Sequence, residues 1–344
     1  MPTEHSYTVL IASYLEPEHV ERIRQVDQRL RVIYEPELLA PPRYAADHTG
    51  GSFTRTPEQE ARWRDRLAHA DILFDFDTTH RSDLPDLAPT VQWIQATSAG
   101  IGQFVRQMGY DKRMPNTIFT TASGVHARPL AEFVVMAMLM HYKGLVRMVR
   151  DQQRKHWERY AGADLEGRTL AIAGLGRVGA QVAQTCRLLG MQVIGTNIQP
   201  VSQCVDRYYE PSHLHEMLKL AEVLVLAVPH TPATENLIGA TELALLPQGA
   251  YFINIARGAV VDEAALVEAL RSGHLSGAAL DVAVIEPLPL TSPLWDMQNV
   301  LVSPHSASTS DRENQRLAEL FSDNLRRFLD GEALRNVLNV ERMY

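Results

Sequence analysis

Gly174-Leu175-Gly176-Arg177-Val178-Gly179 constrains this chain more than any other stretch, because of what flanks it. Before it runs Thr169-Leu-Ala-Ile-Ala173, short, apolar and bounded by polar residues, which reads as a buried strand. After it, Ala180 to Leu189 carries Val182, Ala183, Cys186 and Leu189 at helical spacing. Strand, Gly-x-Gly-x-x-Gly and helix in that order form a dinucleotide-binding turn. The first glycine permits the tight turn, the second lets a pyrophosphate approach the backbone, and the third lets helix and strand pack closely. Amides at the start of the helix then hold the anion.

Strand and helix patterns alternate along nearly all 344 residues, which predicts α/β architecture and two domains. The N-terminal strands fall near Tyr7–Ala12, Leu30–Tyr34, Asp71–Asp75, Val91–Gln95 and Asn116–Thr120, with helices such as Pro17–Val26 and Pro57–Ala68 between them. Ala40 to Thr56, rich in Pro, Gly and polar residues, reads as a loop of the kind that carries substrate contacts. Six more strands follow near Thr169–Ala173, Gln192–Thr196, Glu222–Ala227, Ala250–Ile255, Gly277–Val282 and Val300–Ser303. Helices are expected at Ser212–Leu220, Thr241–Leu246 and Glu263–Ser272. One long helix is expected from Ala127 to Gln153, and another from Thr309 to Leu329 that returns to the N-terminal unit. The expected fold is therefore two doubly wound parallel-sheet domains. A flavodoxin-like substrate domain takes residues 1–121 and 308–344, a Rossmann cofactor domain takes 122–307, and an interdomain cleft lies between them.

Composition narrows the function by exclusion. Hydrophobic residues make up 45% and charged residues 22%, ordinary for a globular protein, and the net charge of −8 argues against nucleic acid or an anionic membrane as partner. No segment approaches the ~20 apolar residues of a membrane span, and no basic region precedes an apolar stretch at the N-terminus. A soluble, cytoplasmic protein is expected. Its two cysteines, Cys186 and Cys204, are too few for a disulfide framework, and no metal site is expected.

In an NAD-specific site a carboxylate about 20 residues beyond the glycines binds the ribose hydroxyls. Here the second strand ends at Asn197. An amide can bond a ribose but does not repel a 2′-phosphate, and Ile198-Gln199-Pro200 offers no Arg to bind one. The expectation is relaxed use of NAD(P) that leans to NADP. The alternative is that Asn197 merely ends a strand and NAD is used normally.

Three later segments end strands: Ile253-Asn-Ile-Ala-Arg257-Gly258, Ala279-Leu-Asp281-Val282 leading to Glu286-Pro287, and Asn299-Val-Leu-Val-Ser-Pro304-His305. Carboxyl ends of strands in a doubly wound sheet open onto the ligand crevice, so Arg257, Glu286 and His305 are expected around it. Reducing a 2-keto acid needs a planar cation to hold the carboxylate and polarise the carbonyl. It also needs a proton donor that titrates near neutrality, and a carboxylate that orients that donor. Arg257, His305 and Glu286 suit these tasks in turn. Each alone reads equally as a salt bridge, a structural His or a turn residue; together, after a dinucleotide turn, they read as catalytic.

With these motifs the chain resembles the D-isomer-specific 2-hydroxyacid dehydrogenases. The matching runs are Gly174–Gly179, Asn254–Glu263, Leu280–Val282 with Glu286-Pro287, Pro293-Leu-Trp295 and Ser303-Pro-His305, and, more thinly, Gln95–Gly100. The resemblance implies a catalytic triad of Arg257, Glu286 and His305. It implies substrate-carboxylate contacts from the amides of Ser98, Ala99 and Gly100. It implies cofactor contacts from Arg177, Val178, Val228, Ile255, Ala256 and Asp281, the last at the nicotinamide carboxamide, beside those read above from Gly174, Gly176, Gly179 and Asn197. A homodimer paired through the cofactor domains and the long helix is implied as well. The chain departs from the family at Asn197, where NAD-using members carry Asp, and at Gly102. The expected activity is hydride transfer between NAD(P)H and a small 2-keto acid such as glyoxylate or hydroxypyruvate. One alternative is a nicotinamide-sensing interaction protein with little turnover. A second is a formate dehydrogenase-like activity, disfavoured because those enzymes carry Gln where Glu286 stands. Pocket-shaping side chains are expected near Gly51-Ser-Phe53, at Trp157 and Tyr160, and at Trp295.

Overall fold

The computed structural model describes residues 6–201 and 203–342. The described residues through His126 and from Thr309 onward form one compact unit, and Ala127–Ser308 form a second.

In the first unit, β1 (Tyr7–Ile11), β2 (Leu30–Ile33), β3 (Ile72–Phe74), β4 (Trp93–Gln95) and β5 (Ile118–Thr120) make one sheet in the order β2-β1-β3-β4-β5. Every pairing is parallel. Side chains alternate between the two faces, as the strand period of two requires. Val9, Ile11, Ile72, Phe74 and Trp93 pack on one side with Leu317, Phe321 and Leu325, which recur every fourth residue along the helix Glu313–Leu329. Leu10, Leu73 and Ile94 pack on the other with Trp63 and Leu67 of the helix Pro57–Ala68. Each of these large apolar side chains, removed from water, contributes about 1.5–3 kcal/mol. The C-terminal helix is thus part of the first unit's core.

The second unit contains β6 (Thr169–Ala173), β7 (Gln192–Thr196), β8 (Arg207–Tyr209), β9 (Val223–Leu226), β10 (Ala250–Asn254), β11 (Leu275–Leu280) and β12 (Val300–Val302). Their order is β12-β11-β10-β9-β6-β7-β8, again all parallel. The strand order reverses between β6 and β9, where a doubly wound sheet binds its ligand. The turns that leave the carboxyl ends of these strands begin at Gly174, Asn197, Ala227, Ile255, Asp281 and Ser303.

Three expectations need correction. Strand β8 is a short edge strand that the pattern of Arg207-Tyr-Tyr209 does not announce; it exists through its pairing with Ile194–Thr196. The long helix is two helices, Ala127–Tyr142 and Leu145–Gln153, bent by 58°. Gly144, at φ 72°, turns the backbone out of the right-handed helix there, although the apolar spacing runs on through it. The last helix begins at Glu313, after a turn at Asp311–Arg312, rather than at Thr309. Among the described residues, no single helix is long and apolar enough to cross a membrane.

Candidate active site

The dinucleotide turn has the shape that its glycines suggest. Gly174 leaves β6 at φ 98°, and a side chain on it would lie 2.6 Å from the Ala227 carbonyl oxygen. A methyl group on Gly179 would run into the Gly174 carbonyl, so strand and helix touch there. At Gly176 a side chain would meet nothing within 4 Å, which leaves open space above the helix Arg177–Leu188. The first amides of a helix have no partner within it, and its dipole favours an anion. Two closed glycines, one open glycine and a helix N-terminus fit a bound pyrophosphate. Arg177 is exposed beside it, and Val228 lies part-buried at the end of β9.

Asn197 stands where the second strand ends, but its side chain is engaged within the chain. Its Oδ1 accepts from the Leu175 amide at 3.2 Å, and its Nδ2 donates to the Gln199 carbonyl at 2.9 Å. The Tyr208 hydroxyl donates to the Asn197 carbonyl at 2.7 Å. Asn197 thus braces the glycine turn, a contact across 22 residues that sequence spacing does not reveal.

Arg257 follows β10 in extended conformation, φ −147° and ψ 150°. Asn254 holds this turn from beneath: its Oδ1 accepts from the Ala256 amide at 3.0 Å, and its Nδ2 donates to the Arg257 carbonyl at 3.1 Å. Gly258 lies so close to the backbone of Ala283 and Val284 that any side chain would collide with it. The guanidinium donates to the Ala256 carbonyl at 2.7 Å. Burial pulls its pKa down, while the carboxylates of Glu286 and Asp281 oppose that and favour the charge. Ile255 and Ala256 are buried.

Asp281, also buried, organises the segment that carries the imidazole. Its Oδ1 accepts from the Ser303 hydroxyl at 2.7 Å and the Ala307 amide at 2.9 Å, and its carbonyl accepts from the His305 amide at 2.8 Å. His305 adopts φ 55°, left-handed backbone that a side-chain-bearing residue enters at a cost and that clusters at functional sites. Its Nδ1 lies 2.8 Å from Glu286 Oε2. Glu286 is held in turn, its Oε1 accepting from the Ala283 amide at 3.1 Å. With Nδ1 committed to a carboxylate, Nε2 is the nitrogen left to exchange a proton with a ligand. The structure therefore brings Arg257, Glu286, Asp281 and His305 into one neighbourhood. Asn254, Ser303 and Glu263, whose Oε2 accepts from the Val284 amide at 3.2 Å, complete it without having been singled out by their residue type.

Ser98, Ala99 and Gly100 belong to the first unit and are exposed just beyond β4. The Ser98 carbonyl accepts from the Ala122 amide at 3.0 Å. Among the aromatics, Trp295 is half-exposed and donates from Nε1 to the Pro289 carbonyl at 3.0 Å. Trp157 is 97% exposed, whereas Tyr160 bonds the Lys143 carbonyl at 2.8 Å beneath the Arg147 guanidinium, a packing role.

Residues 135–307 match the NAD binding domain of the D-isomer specific 2-hydroxyacid dehydrogenases. The chain is 34% identical over 231 residues to the glyoxylate reductase of Korarchaeum cryptofilum, covering 64% of this chain and 69% of that one. It is 28% identical over 281 residues to the D-3-phosphoglycerate dehydrogenase of Methanocaldococcus jannaschii, covering 80% of this chain but about half (53%) of that longer one. Among solved structures, a D-isomer specific 2-hydroxyacid dehydrogenase from Xanthobacter autotrophicus in complex with NADPH and MES superposes with a TM-score of 0.79 at 29% identity, covering 98% of this chain and 100% of that one.

Proposed function

This chain belongs to the D-isomer specific 2-hydroxyacid dehydrogenase family, and we propose that it is an NAD(P)-dependent oxidoreductase that reduces small 2-keto acids, of the glyoxylate and hydroxypyruvate kind, to D-2-hydroxy acids. The observation that carries this reading is the 2.8 Å bond between His305 Nδ1 and Glu286, with the Arg257 guanidinium in the field of the same carboxylate. Arg257 pairs with the substrate carboxylate and polarises the keto oxygen. His305 gives that oxygen a proton from Nε2, and Glu286 steadies the charged ring. The amides of Ser98, Ala99 and Gly100 hold the substrate carboxylate. Gly174, Gly176, Arg177, Val178 and Gly179 would form the turn that holds the dinucleotide phosphates, Val228, Ile255 and Ala256 would flank the nucleotide, and Asp281 would receive the carboxamide. When bound, the reduced nicotinamide supplies the hydride.

The neutral Asn197 supports use of both coenzymes with a lean to NADPH, as does the NADPH bound to the Xanthobacter relative. Exposed Met136, Leu139, Val146, Met148 and Val149 on the two consecutive helices support a homodimer, and two unpaired cysteines suit the cytoplasm. Following NADH and NADPH oxidation against a panel of glyoxylate, hydroxypyruvate, phenylpyruvate and branched keto acids tests the reading. Turnover with at least one is expected; tight coenzyme binding without turnover would instead identify a sensor.

A further inference from the structure

The strand order of the first unit's sheet reverses beside β1, with β2 on one side and β3 on the other. Open parallel sheets bind ligands beyond the carboxyl ends of their strands at such a point. Four polar side chains gather there: Ser13 just past β1, Asp75 just past β3, Thr97 just past β4, and His48 from the loop between β2 and β3. Ser13, Asp75 and Thr97 are buried. His48 Nδ1 lies 3.1 Å from the Ser13 hydroxyl, and its Nε2 is enclosed without a hydrogen-bond partner among the described residues. The turn that carries His48 is itself fixed, since Asp47 accepts from the Thr49 and Gly50 amides at 3.2 and 3.0 Å and is clamped by Arg43.

Asp75 is the centre of this group. It adopts φ 70°, the left-handed region, which Asp tolerates better than most residues but still at a cost. Its amide donates to the Gln95 carbonyl at 2.7 Å, and its carboxylate accepts from the Phe76 amide at 2.9 Å and the Thr97 hydroxyl at 3.0 Å. Burial pushes its carboxyl upward, an effect that His48 and these donors oppose. A buried acid on strained backbone is an expensive way to close a turn, and such features persist where something must be positioned. Thr97, which it grips, leads directly into the exposed Ser98-Ala99-Gly100.

We infer that Asp75 is a positioning residue for substrate binding, fixing through Thr97 the course of Ser98–Gly100. The inference rests on the reading above that those three amides hold the substrate carboxylate. Amides that converge on one carboxylate lose their grip when displaced, and a shift of about 1 Å in such a site costs up to about a hundredfold.

Asp75→Gly tests this directly, because glycine accepts the same backbone conformation and removes only the carboxylate. The keto-acid KM should rise about tenfold or more, while the KM for NADH or NADPH stays within about twofold and kcat within about threefold. Asp75→Asn, which keeps an acceptor oxygen and tolerates the backbone angle, should recover most of the loss. Thr97→Val, which removes one hydrogen bond and carries the test if Asp75→Gly does not fold, should raise the same KM about three- to tenfold. Keto-acid KM values unchanged in the folded variants, or a rise shared equally by coenzyme and keto acid, would overturn the inference. Wild-type protein that reduces no keto acid would remove the catalytic reading itself; a positioning role fails alone when the wild type turns over and the variants match it.

Discussion

His305 and Glu286 share one hydrogen bond, Nδ1 to Oε2 at 2.8 Å, and their side chains remain 41% and 39% exposed. Water screens a pair this open, so it adds little to stability. What it does is fix the ring's orientation and leave Nε2 free for proton transfer.

Removing the acid should cost far more than removing its support. General acid catalysis contributes about 10²–10⁴-fold, so His305→Ala should lower kcat by that order and retain no more than about a few per cent of wild-type activity. A hydrogen bond to a charged group contributes about 1.5–3 kcal/mol, so Glu286→Gln should lose about ten- to a hundredfold. Steady-state kinetics, with coenzyme binding followed by fluorescence and expected to be unchanged, measures both.

The two directions of reaction should respond oppositely to pH. Reduction needs the His305 imidazole protonated, and oxidation needs it neutral. Keto-acid reduction, which takes up a proton, should therefore fall, and hydroxy-acid oxidation, which releases one, should rise, as pH increases. Parallel profiles in both directions would assign the proton to another group.

Coenzyme choice should respond to Asn197. Asn197→Asp keeps an oxygen able to accept from the Leu175 amide, 3.2 Å away in the wild type, and adds a charge that repels a 2′-phosphate. The NADPH KM should rise about tenfold or more, with that for NADH unchanged or lower. A wild-type preference for NADH of about a hundredfold in kcat/KM would reject relaxed use.

Stability of the first unit should carry a basic-side signature. His80 donates toward buried Asp77 at 2.6 Å and toward Glu60 at 2.8 Å, and its bond to Asp77 raises its pKa above the ordinary value, against the opposing effect of burial. A group protonated more readily when folded stabilises fully below its unfolded pKa, and the contribution disappears as pH climbs through the raised value. The Tm difference between wild type and His80→Gln should be largest near about pH 6 and shrink in alkali. A difference that grows with pH would contradict this.

Sheet architecture was legible because parallel strands buried on both faces read as short apolar runs, and the glycine turn fixes where the cofactor sheet begins. All five strands of the first sheet and six of the seven in the second are where those runs lie. Strand β8 escaped because two tyrosines and an arginine become a strand only through Thr196 and its neighbours. The bend at Gly144 escaped because apolar spacing says nothing about φ. Arg257, Glu286 and His305 were legible as reactive residue types at strand ends. The braces were not: Asn254, Asn197 and Asp75 are polar residues at turns, common anywhere, whose partners lie from 2 to 22 residues away.

The contact between Gly258 and the Ala283–Val284 backbone has a consequence for how such an enzyme can diversify. It welds the peptide bearing the guanidinium to the peptide bearing the carboxylate, so neither can drift without dragging the other. Evolution can then retune which acid is accepted only at sites outside this welded pair, leaving the proton chemistry untouched while the clientele changes.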